Sequence, residues 1–281
     1  MRRFAVITTC HSAGYERYGR TMVESYLEHW PVEVPLLLYH EGFEPPVAPG
    51  RLIARDLESS SPGLVAFKAR HLDNPRAHGL RKPWRRVRVG PIKVMLPMRT
   101  RKDAYRWNAV RFAHKSFALF DAARRTDADV LIWVDADTLF FDSIDLAELE
   151  LLAPPDSAAA CLRRPQHTEA GFLAYNLRHP DTRRLLDEFE AMYTRDLLFK
   201  QREFHDAYLF DVVRERAEAR GVSVHDIGEG IGWTAPHVLI NSRLGRFMDH
   251  MKGGRKEDGG SRGDDLVVVR DEPYWQRLKR D

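Results

Sequence analysis

The feature that most constrains this sequence is an apolar run that ends in two closely spaced carboxylates. Residues Val130 to Val134 are all apolar, and Asp135 and Asp137 follow directly. Five apolar residues without alternation suit a strand buried on both faces, as in a parallel sheet covered by helices. Because an ionised carboxylate is costly to bury unpaired, the strand should end at Asp135. We therefore expect both aspartates at the carboxyl edge of the sheet, where open α/β folds bind ligands.

The acidic pair, Asp135 and Asp137, can be interpreted as a cation site or as part of a turn. Crowded carboxylates repel each other unless a hard cation lies between them, and such cations take oxygen ligands. Alternatively, Asp135 only caps the backbone of a turn, which is a position that aspartate favours. The rest of the sequence favours the first interpretation.

Composition places the chain among ordinary globular proteins. Its 281 residues suffice for a full core, and 43% are hydrophobic and 30% charged. No stretch approaches the roughly 20 apolar residues of a membrane span, and the opening apolar run is too short for a signal peptide. Cys10 and Cys161 form no metal-type pair, so we expect them to be reduced core residues of a cytoplasmic protein.

The net charge of +3 conceals a strong local asymmetry. The segment from Lys68 to Lys102 holds twelve lysines and arginines and a single acid, Asp73, which gives it a charge of +11. The rest of the chain therefore carries −8. We expect this segment, which contains four prolines and no sustained periodicity, to be a long loop or excursion within a single domain. Such a segment suits an anionic partner.

Strands and helices alternate along the chain, which predicts an α/β fold with a mostly parallel, Rossmann-like sheet flanked by helices. The first β-α-β unit should form a right-handed parallel crossover. The predicted strands cover residues 4–9, 34–39, 51–56, 130–134, 158–162, 169–176 and 222–227. The predicted helices cover residues 18–30, 104–125, 144–152, 180–195 and 203–220.

Several short motifs resemble the GT-A-fold glycosyltransferases of the glycogenin and bacterial lipooligosaccharide galactosyltransferase family, glycosyltransferase family 8. The motifs occur in the family's order and span roughly residues 4 to 256. They are Thr8 and Thr9 before a loop with Tyr15; Lys115 on the helix before the acidic strand; Val134-Asp-Ala-Asp-Thr138; Gly171-Phe-Leu-Ala-Tyr175; His205-Asp206; and His250-Met-Lys-Gly253.

The resemblance implies a role for each matching residue. Asp135, Asp137 and His250 would bind a divalent metal, Mn²⁺ or Mg²⁺, that holds the diphosphate of a nucleotide sugar, most often a uridine diphosphate sugar. Asp206 would lie beside the transferred sugar as the catalytic residue, and the reaction would retain the anomeric configuration. The other donor-binding residues would be Thr8, Thr9, Tyr15, Arg111, Lys115, Ala136, Lys252 and Gly253.

Physical chemistry supports these roles independently. A leaving sugar diphosphate develops negative charge, which a divalent ion and lysine or arginine side chains neutralise. Two carboxylates and one imidazole form a ligand set that suits manganese. The glycines after His250 let backbone amides approach a phosphate. Conversely, Arg111, Lys115 and Lys252 are also the residue types of a solvated surface.

The sequence departs from the family at three places. Glu169-Ala170-Gly171 replaces Asn-Ser-Gly, Glu257-Asp258 replaces Pro-Trp, and Ala207 replaces the glutamine after Asp206. These changes affect what can be inferred about the identity of the sugar and of the acceptor, more than about the nucleotide site. The acceptor could be an anionic glycan, a lipid head group or a modified nucleic acid.

Two other functions deserve comparison. A haloacid-dehalogenase-like phosphatase would use Asp135 as its nucleophile, but that motif has Thr two residues after the second aspartate, whereas Thr138 follows Asp137 immediately. A non-catalytic nucleic-acid-binding protein would act through the basic segment, which has a single aromatic residue, Trp84, for base stacking.

Overall fold

The computed structural model describes residues 1–80, 84–97 and 101–279. Eleven strands occur in these ranges: β1 (Phe4–His11), β2 (Leu36–Glu41), β3 (Leu52–Asp56), β4 (Trp84–Val89), β5 (Ile92–Pro97), β6 (Val130–Val134), β7 (Thr138–Phe140), β8 (Ala159–Leu162), β9 (Glu169–Asn176), β10 (Val224–Asp226) and β11 (Met248–His250).

The described α-helices are α1 (Ser12–Gly14), α2 (Arg20–His29), α3 (Leu57–Ser60), α4 (Pro62–Arg70), α5 (Ala109–Arg125), α6 (Leu146–Leu152), α7 (Thr182–Thr194), α8 (Asp206–Glu218), α9 (Val238–Asn241), α10 (Arg255–Asp258) and α11 (Pro273–Gln276). A π-helical stretch, Tyr15–Gly19, joins α1 to α2. Turns of 3₁₀-helix occur at Arg101–Trp107, Leu197–Lys200, Ile231–Trp233, Arg243–Arg246, Gly263–Asp265 and Arg277–Lys279.

Seven strands form the central sheet, in the order β10-β8-β9-β6-β1-β2-β3. Strands β6, β1, β2 and β3 run parallel to one another, and β10 is parallel to β8. Strand β9 alone runs against its neighbours β6 and β8. The predicted α/β class and the parallel opening crossover from β1 to β2 are both confirmed.

Helices cover both faces of this sheet. On one face, α5, α7 and α8 contribute a cluster of buried aromatic side chains that includes Phe117, Phe189 and Phe210. On the other face, α2 contributes Tyr26, which packs with Trp30 and Phe140. Strand β6 is buried along its whole length, as its unbroken apolar sequence predicts.

The structure differs from the sequence prediction in the basic segment. The expected irregular loop contains the end of α4 and an antiparallel hairpin, β4–β5, that forms a sheet of its own. The hairpin turns at Gly90, whose φ of +59° suits glycine. Residues 81–83 and 98–100 of this segment lie outside the described residues, and no part of 84–97 joins the central sheet.

A second difference concerns the start of α8. The sequence predicted a helix from Glu203, which would put Asp206 in its interior, whereas the helix begins at Asp206. The imidazole Nδ1 of His205 accepts a hydrogen bond from the backbone N–H of Tyr208 and caps the helix. Asp206 therefore lies in the first turn, where its charge also suits the helix dipole.

None of the described helices has the length and apolar character needed to cross a membrane.

Candidate active site

The acidic pair lies where β6 ends, at the edge of the sheet that the sequence predicts. The backbone N–H of Asp135 donates to the carbonyl of Gly171 on β9, directly after the last residue pair between β6 and β9, Val134 and Phe172. The indole N–H of Trp133 donates to Oδ1 of Asp135 at 2.7 Å. The Asp135 side chain is partly exposed, whereas Asp137 is buried.

His250 reaches the acidic pair through a small separate sheet. Strand β7 begins at Thr138, directly after the pair, and runs antiparallel to β11, with Thr138 opposite His250. The Nε2 atom of His250 lies 3.1 Å from Oδ1 of Asp137 and 3.5 Å from Oδ2 of Asp135. Two residues that are 113 positions apart in sequence are thus direct neighbours.

These three side chains offer a ligand set for a divalent cation. Their nearest ligand atoms all lie within 4.8 Å of one another. Two carboxylates and one imidazole nitrogen suit manganese or magnesium, with manganese the better match for the nitrogen ligand. The residues present therefore fit the metal that the sequence resemblance implies.

Lys115 connects the acidic pair to Asp206. Its Nζ lies 2.9 Å from Oδ1 of Asp135 and 2.8 Å from Oδ2 of Asp206, and it also donates to the carbonyl of Ala170. Burial disfavours the ammonium, but the two carboxylates outweigh it and raise the pKa of Lys115. Burial likewise opposes ionisation of Asp206, and Lys115 lowers the pKa of that carboxyl. Both groups are therefore charged at neutral pH.

Two further residues that the sequence analysis did not select are part of the site. Lys256 Nζ lies 2.7 Å from Oδ2 of Asp137 and 4.5 Å from the ring centre of Tyr18. Glu169, at the start of β9, holds Lys252 Nζ at 2.9 Å. Burial resists ionisation of Asp137, but the nearby His250 and Lys256 lower its pKa below the ordinary value.

The signals for these two residues are weak in the sequence. Lys256 belongs to a stretch of sequence with several cations, and Glu169 lies where the family that the motifs resemble has asparagine. Only the pairing partners distinguish them from surface residues.

The remaining predicted donor residues occupy several environments. Thr8 and Thr9 continue β1 beyond Ile7, which is opposite Trp133, so they approach the same edge of the sheet as Asp135. Thr8 is fully buried and Thr9 half-buried. Tyr15 is buried, and its ring stacks on Phe43 with centroids 4.3 Å apart.

Ala136, Arg111 and Gly253 differ in exposure. Ala136 is buried between the two aspartates. Arg111 is exposed on α5, one turn from Lys115, with its guanidinium 5.9 Å from the ring centre of Phe112. Gly253 has a φ of +65° and open space beside it, so the chain can turn sharply after Lys252.

Part of the basic segment is neutralised locally. Lys68 pairs with Glu58, and Arg70 pairs with Asp196 at 3.0 Å. Arg88 and Lys93 are exposed on the β4–β5 hairpin, where they are directly opposite each other. Lys68 and Arg70 are therefore two cations of the segment that acids outside it neutralise.

A second group of possible metal ligands is His167, Glu203 and His205. Both imidazole Nε2 atoms face Oε2 of Glu203, at 3.3 Å and 3.0 Å. However, the other nitrogen of His205 accepts the Tyr208 N–H, so the neutral ring carries its hydrogen on Nε2. This hydrogen occupies the position that a metal would need, and the group is better described as a hydrogen-bonded support for the start of α8.

No protein-family profile matches the chain, and no curated protein matches it in sequence. Among solved structures, the apo form of glycosyltransferase GlyE from Streptococcus pneumoniae TIGR4 is 14% identical, with a TM-score of 0.41 and 83% of this chain covered. Mouse xyloside xylosyltransferase 1 in its apo form is 12% identical, with a TM-score of 0.43; 79% of this chain and 84% of that chain are covered.

A glycosyltransferase involved in the glycosylation of the major capsid of PBCV-1 is also 12% identical to the chain. The TM-score is 0.46, with 91% of this chain and 98% of that chain covered. By contrast, the chain spans only about half of GlyE, 49%, and 39% of the bifunctional glycosyltransferase WbbM.

Proposed function

We propose that this protein is a metal-dependent glycosyltransferase of the GT-A type, related to glycosyltransferase family 8. It transfers a sugar from a nucleotide diphosphate sugar to a hydroxyl acceptor. One observation carries the proposal: Asp135, Asp137 and His250 converge although the histidine is 113 residues from the second aspartate. Lys115 and Lys256 contact the two aspartates and supply positive charge that suits a diphosphate.

Asp135, Asp137 and His250 would hold the metal, which we propose to be Mn²⁺ or Mg²⁺. When bound, such a cation neutralises charge on the diphosphate leaving group. Lys256, which lies in α10 and contacts Asp137, and Lys252, which lies just before α10, would bind the phosphate oxygens. Gly253 would allow the backbone between the two lysines to approach these oxygens closely.

Asp206 and Lys115 would act on the sugar side of the site. The ion pair fixes the Asp206 carboxylate in the first turn of α8 and keeps it ionised. A fixed carboxylate at this place can accept hydrogen bonds from sugar hydroxyls and stabilise positive charge that develops at the anomeric carbon. We propose a reaction that retains the anomeric configuration, as the family resemblance implies.

The nucleotide would bind beside the end of β1. Thr8 and Thr9 belong to this strand, Tyr15 belongs to the helical segment after it, and Arg111 lies on α5 one turn from Lys115. Ala136, between the two aspartates, would contact the donor through its backbone. A uridine nucleotide is the form that the family resemblance favours.

The acceptor is the least constrained partner. The exposed cations of the β4–β5 hairpin support an anionic acceptor, such as a phosphorylated glycan, a lipid head group or a modified nucleic acid. The hairpin leads into the turn Arg101–Trp107, whose Trp107 donates to the carbonyl of Arg202, close to Asp206 in sequence. We propose that the segment receives the acceptor on the sugar side of the site.

The direct test is to measure which nucleotide sugars the purified protein hydrolyses slowly without an acceptor. We expect hydrolysis of a uridine diphosphate sugar that depends on Mn²⁺ or Mg²⁺ and stops in excess chelator. Equal hydrolysis in chelator, or no hydrolysis of any nucleotide sugar by folded protein with metal present, would contradict the proposal.

A further inference from the structure

The start of β9 contacts the candidate metal and phosphate residues at each of three consecutive positions. Glu169 pairs with Lys252, the carbonyl of Ala170 accepts from Lys115, and the carbonyl of Gly171 accepts from the N–H of Asp135. The tripeptide is tied to both neighbouring strands: Glu169 is opposite Leu162 of β8, and the Asp135 N–H at the end of β6 donates to the Gly171 carbonyl. This tripeptide is therefore well suited to set the positions of other groups.

Glu169 is a buried carboxylate in a strongly cationic environment. Its side chain is 3% exposed, and its oxygens lie 2.9 Å from Lys252 Nζ and 3.0 Å from Arg164 Nη1. Burial opposes its ionisation, but Lys252 and Arg164 outweigh this and hold the pKa of Glu169 well below its ordinary value. Two cations thus pair with a buried carboxylate that is separate from Asp135 and Asp137.

The imidazole of His250 lies between this charge and the acidic pair. Its Nε2 faces Asp135 and Asp137, while its Nδ1 faces Oε1 of Glu169 at 3.8 Å. That distance is too long for a hydrogen bond, and Nδ1 is buried without a hydrogen-bond partner among the described residues.

The tautomer of His250 decides whether it can be a ligand. A neutral imidazole that coordinates through Nε2 must carry its hydrogen on Nδ1. Ligating histidines usually donate that hydrogen to a carboxylate or carbonyl, which fixes the ring and makes it more basic. Among the described residues, Glu169 supplies the carboxylate that faces Nδ1.

Gly171 makes this arrangement sterically possible. A Cβ atom at this position would lie 2.5 Å from Cε1 and 2.6 Å from Nδ1 of His250. The imidazole therefore packs directly on the strand backbone, two residues from Glu169. The ring cannot move away from the Glu169 side without leaving this contact.

We infer that Glu169 is a positioning residue that orients His250 for metal binding and holds Lys252 at the edge of the site. The claim about His250 and the metal, which is the metal half of this inference, rests on the proposed function. The claim about Lys252, which is the Lys252 half, rests only on its ion pair with Glu169. Glu169 itself would not contact the metal or the reacting atoms.

The test of the metal half compares Mn²⁺ affinity, measured by the electron paramagnetic resonance signal of free Mn²⁺, in the wild type and in Glu169→Gln. The glutamine is nearly isosteric but uncharged, so we expect affinity to fall about tenfold or more, as when other outer partners of ligating histidines are removed. Glu169→Asp should restore part of the affinity. Glu218→Gln is the matched control, because it also removes a partly buried carboxylate paired with arginines.

The test of the Lys252 half uses metal-free protein and measures the rate of Lys252 acetylation by mass spectrometry. Loss of the ion pair in Glu169→Gln should increase that rate several-fold relative to Glu218→Gln, because a freed amine is more reactive. Unchanged Mn²⁺ affinity together with an unchanged Lys252 rate would overturn the inference. If the wild type binds no Mn²⁺, the proposed metal site fails, and the Lys252 rate alone decides the role of Glu169.

Discussion

The ammonium of Lys256 lies 2.7 Å from Oδ2 of Asp137, on the same carboxylate whose other oxygen faces His250. The lysine also lies over the ring of Tyr18, with Nζ 4.5 Å from its centre. A positive charge from the protein thus already occupies one side of the acidic pair. A divalent cation that binds the pair must compete with this ammonium, and the released lysine would be free to contact a phosphate.

Replacing Lys256 with Met should therefore separate metal binding from donor binding. We expect Mn²⁺ to bind several-fold more tightly in the absence of nucleotide, because a competing charge is gone, and the nucleotide diphosphate to bind more weakly. Titration of Mn²⁺ with and without uridine diphosphate measures both effects. Lys200→Met, at an exposed position, is the control. Weaker Mn²⁺ binding without nucleotide would contradict the competition.

Replacing Asp137 with Asn should abolish Mn²⁺-dependent turnover of the nucleotide sugar without unfolding the protein. The amide has nearly the same shape but lacks the charge that attracts a cation, so we expect the variant to lose activity and keep its fold. Thermal unfolding monitored by circular dichroism checks that the fold persists. Full activity in this variant, or wild-type activity that survives a chelator, would rule out the metal assignment.

Incubation with phosphate esters distinguishes the transferase from a phosphatase. A phosphatase of the haloacid-dehalogenase type would form a phosphoryl intermediate on Asp135, whereas the proposed transferase never phosphorylates this residue. We expect mass spectrometry to detect no phospho-aspartate. A phosphorylated peptide that contains Asp135 would establish the phosphatase instead.

The basic segment can be tested by neutralising Arg81, Lys82, Arg85 and Arg86 together. Acceptor binding should weaken and lose its steep salt dependence, because fewer phosphates are contacted. Nucleotide-sugar hydrolysis should change much less, because we propose that it depends on the buried cluster around Asp137. Equal loss of both activities, or of neither, would count against an acceptor site. Duplex DNA that binds the wild type but not this variant would favour a nucleic-acid acceptor.

Replacing Gly171 with Ala should displace His250. The new methyl group would lie 2.5 Å from the imidazole, and the ring is buried, so it must shift from its place beside Asp137. We expect weaker Mn²⁺ binding with a modest loss of thermal stability. Gly221→Ala is a useful comparison, because the added methyl meets nothing within 4 Å there, although its positive φ adds strain of its own. Mn²⁺ affinity equal to that of the wild type would show that His250 can adapt.

Local patterns in the sequence are enough to predict part of this structure. The apolar run Val130 to Val134 defines a buried strand, and burial of a charge is costly enough to end that strand at Asp135. The alternation of strands and helices gives the α/β class, and the first crossover is parallel because a right-twisted sheet favours it. These features need only neighbours in sequence.

Contacts between distant segments were decided by the tertiary structure. The three-residue pairing of β7 with β11 brings His250 to Asp137, and no local pattern marks either short strand. Glu169 and Lys256 likewise resemble surface charges in the sequence. In the structure, Glu169 forms an ion pair with Lys252, and Lys256 forms one with Asp137. A pairing of this kind depends on how the whole core packs, since a charged group that becomes buried needs a partner.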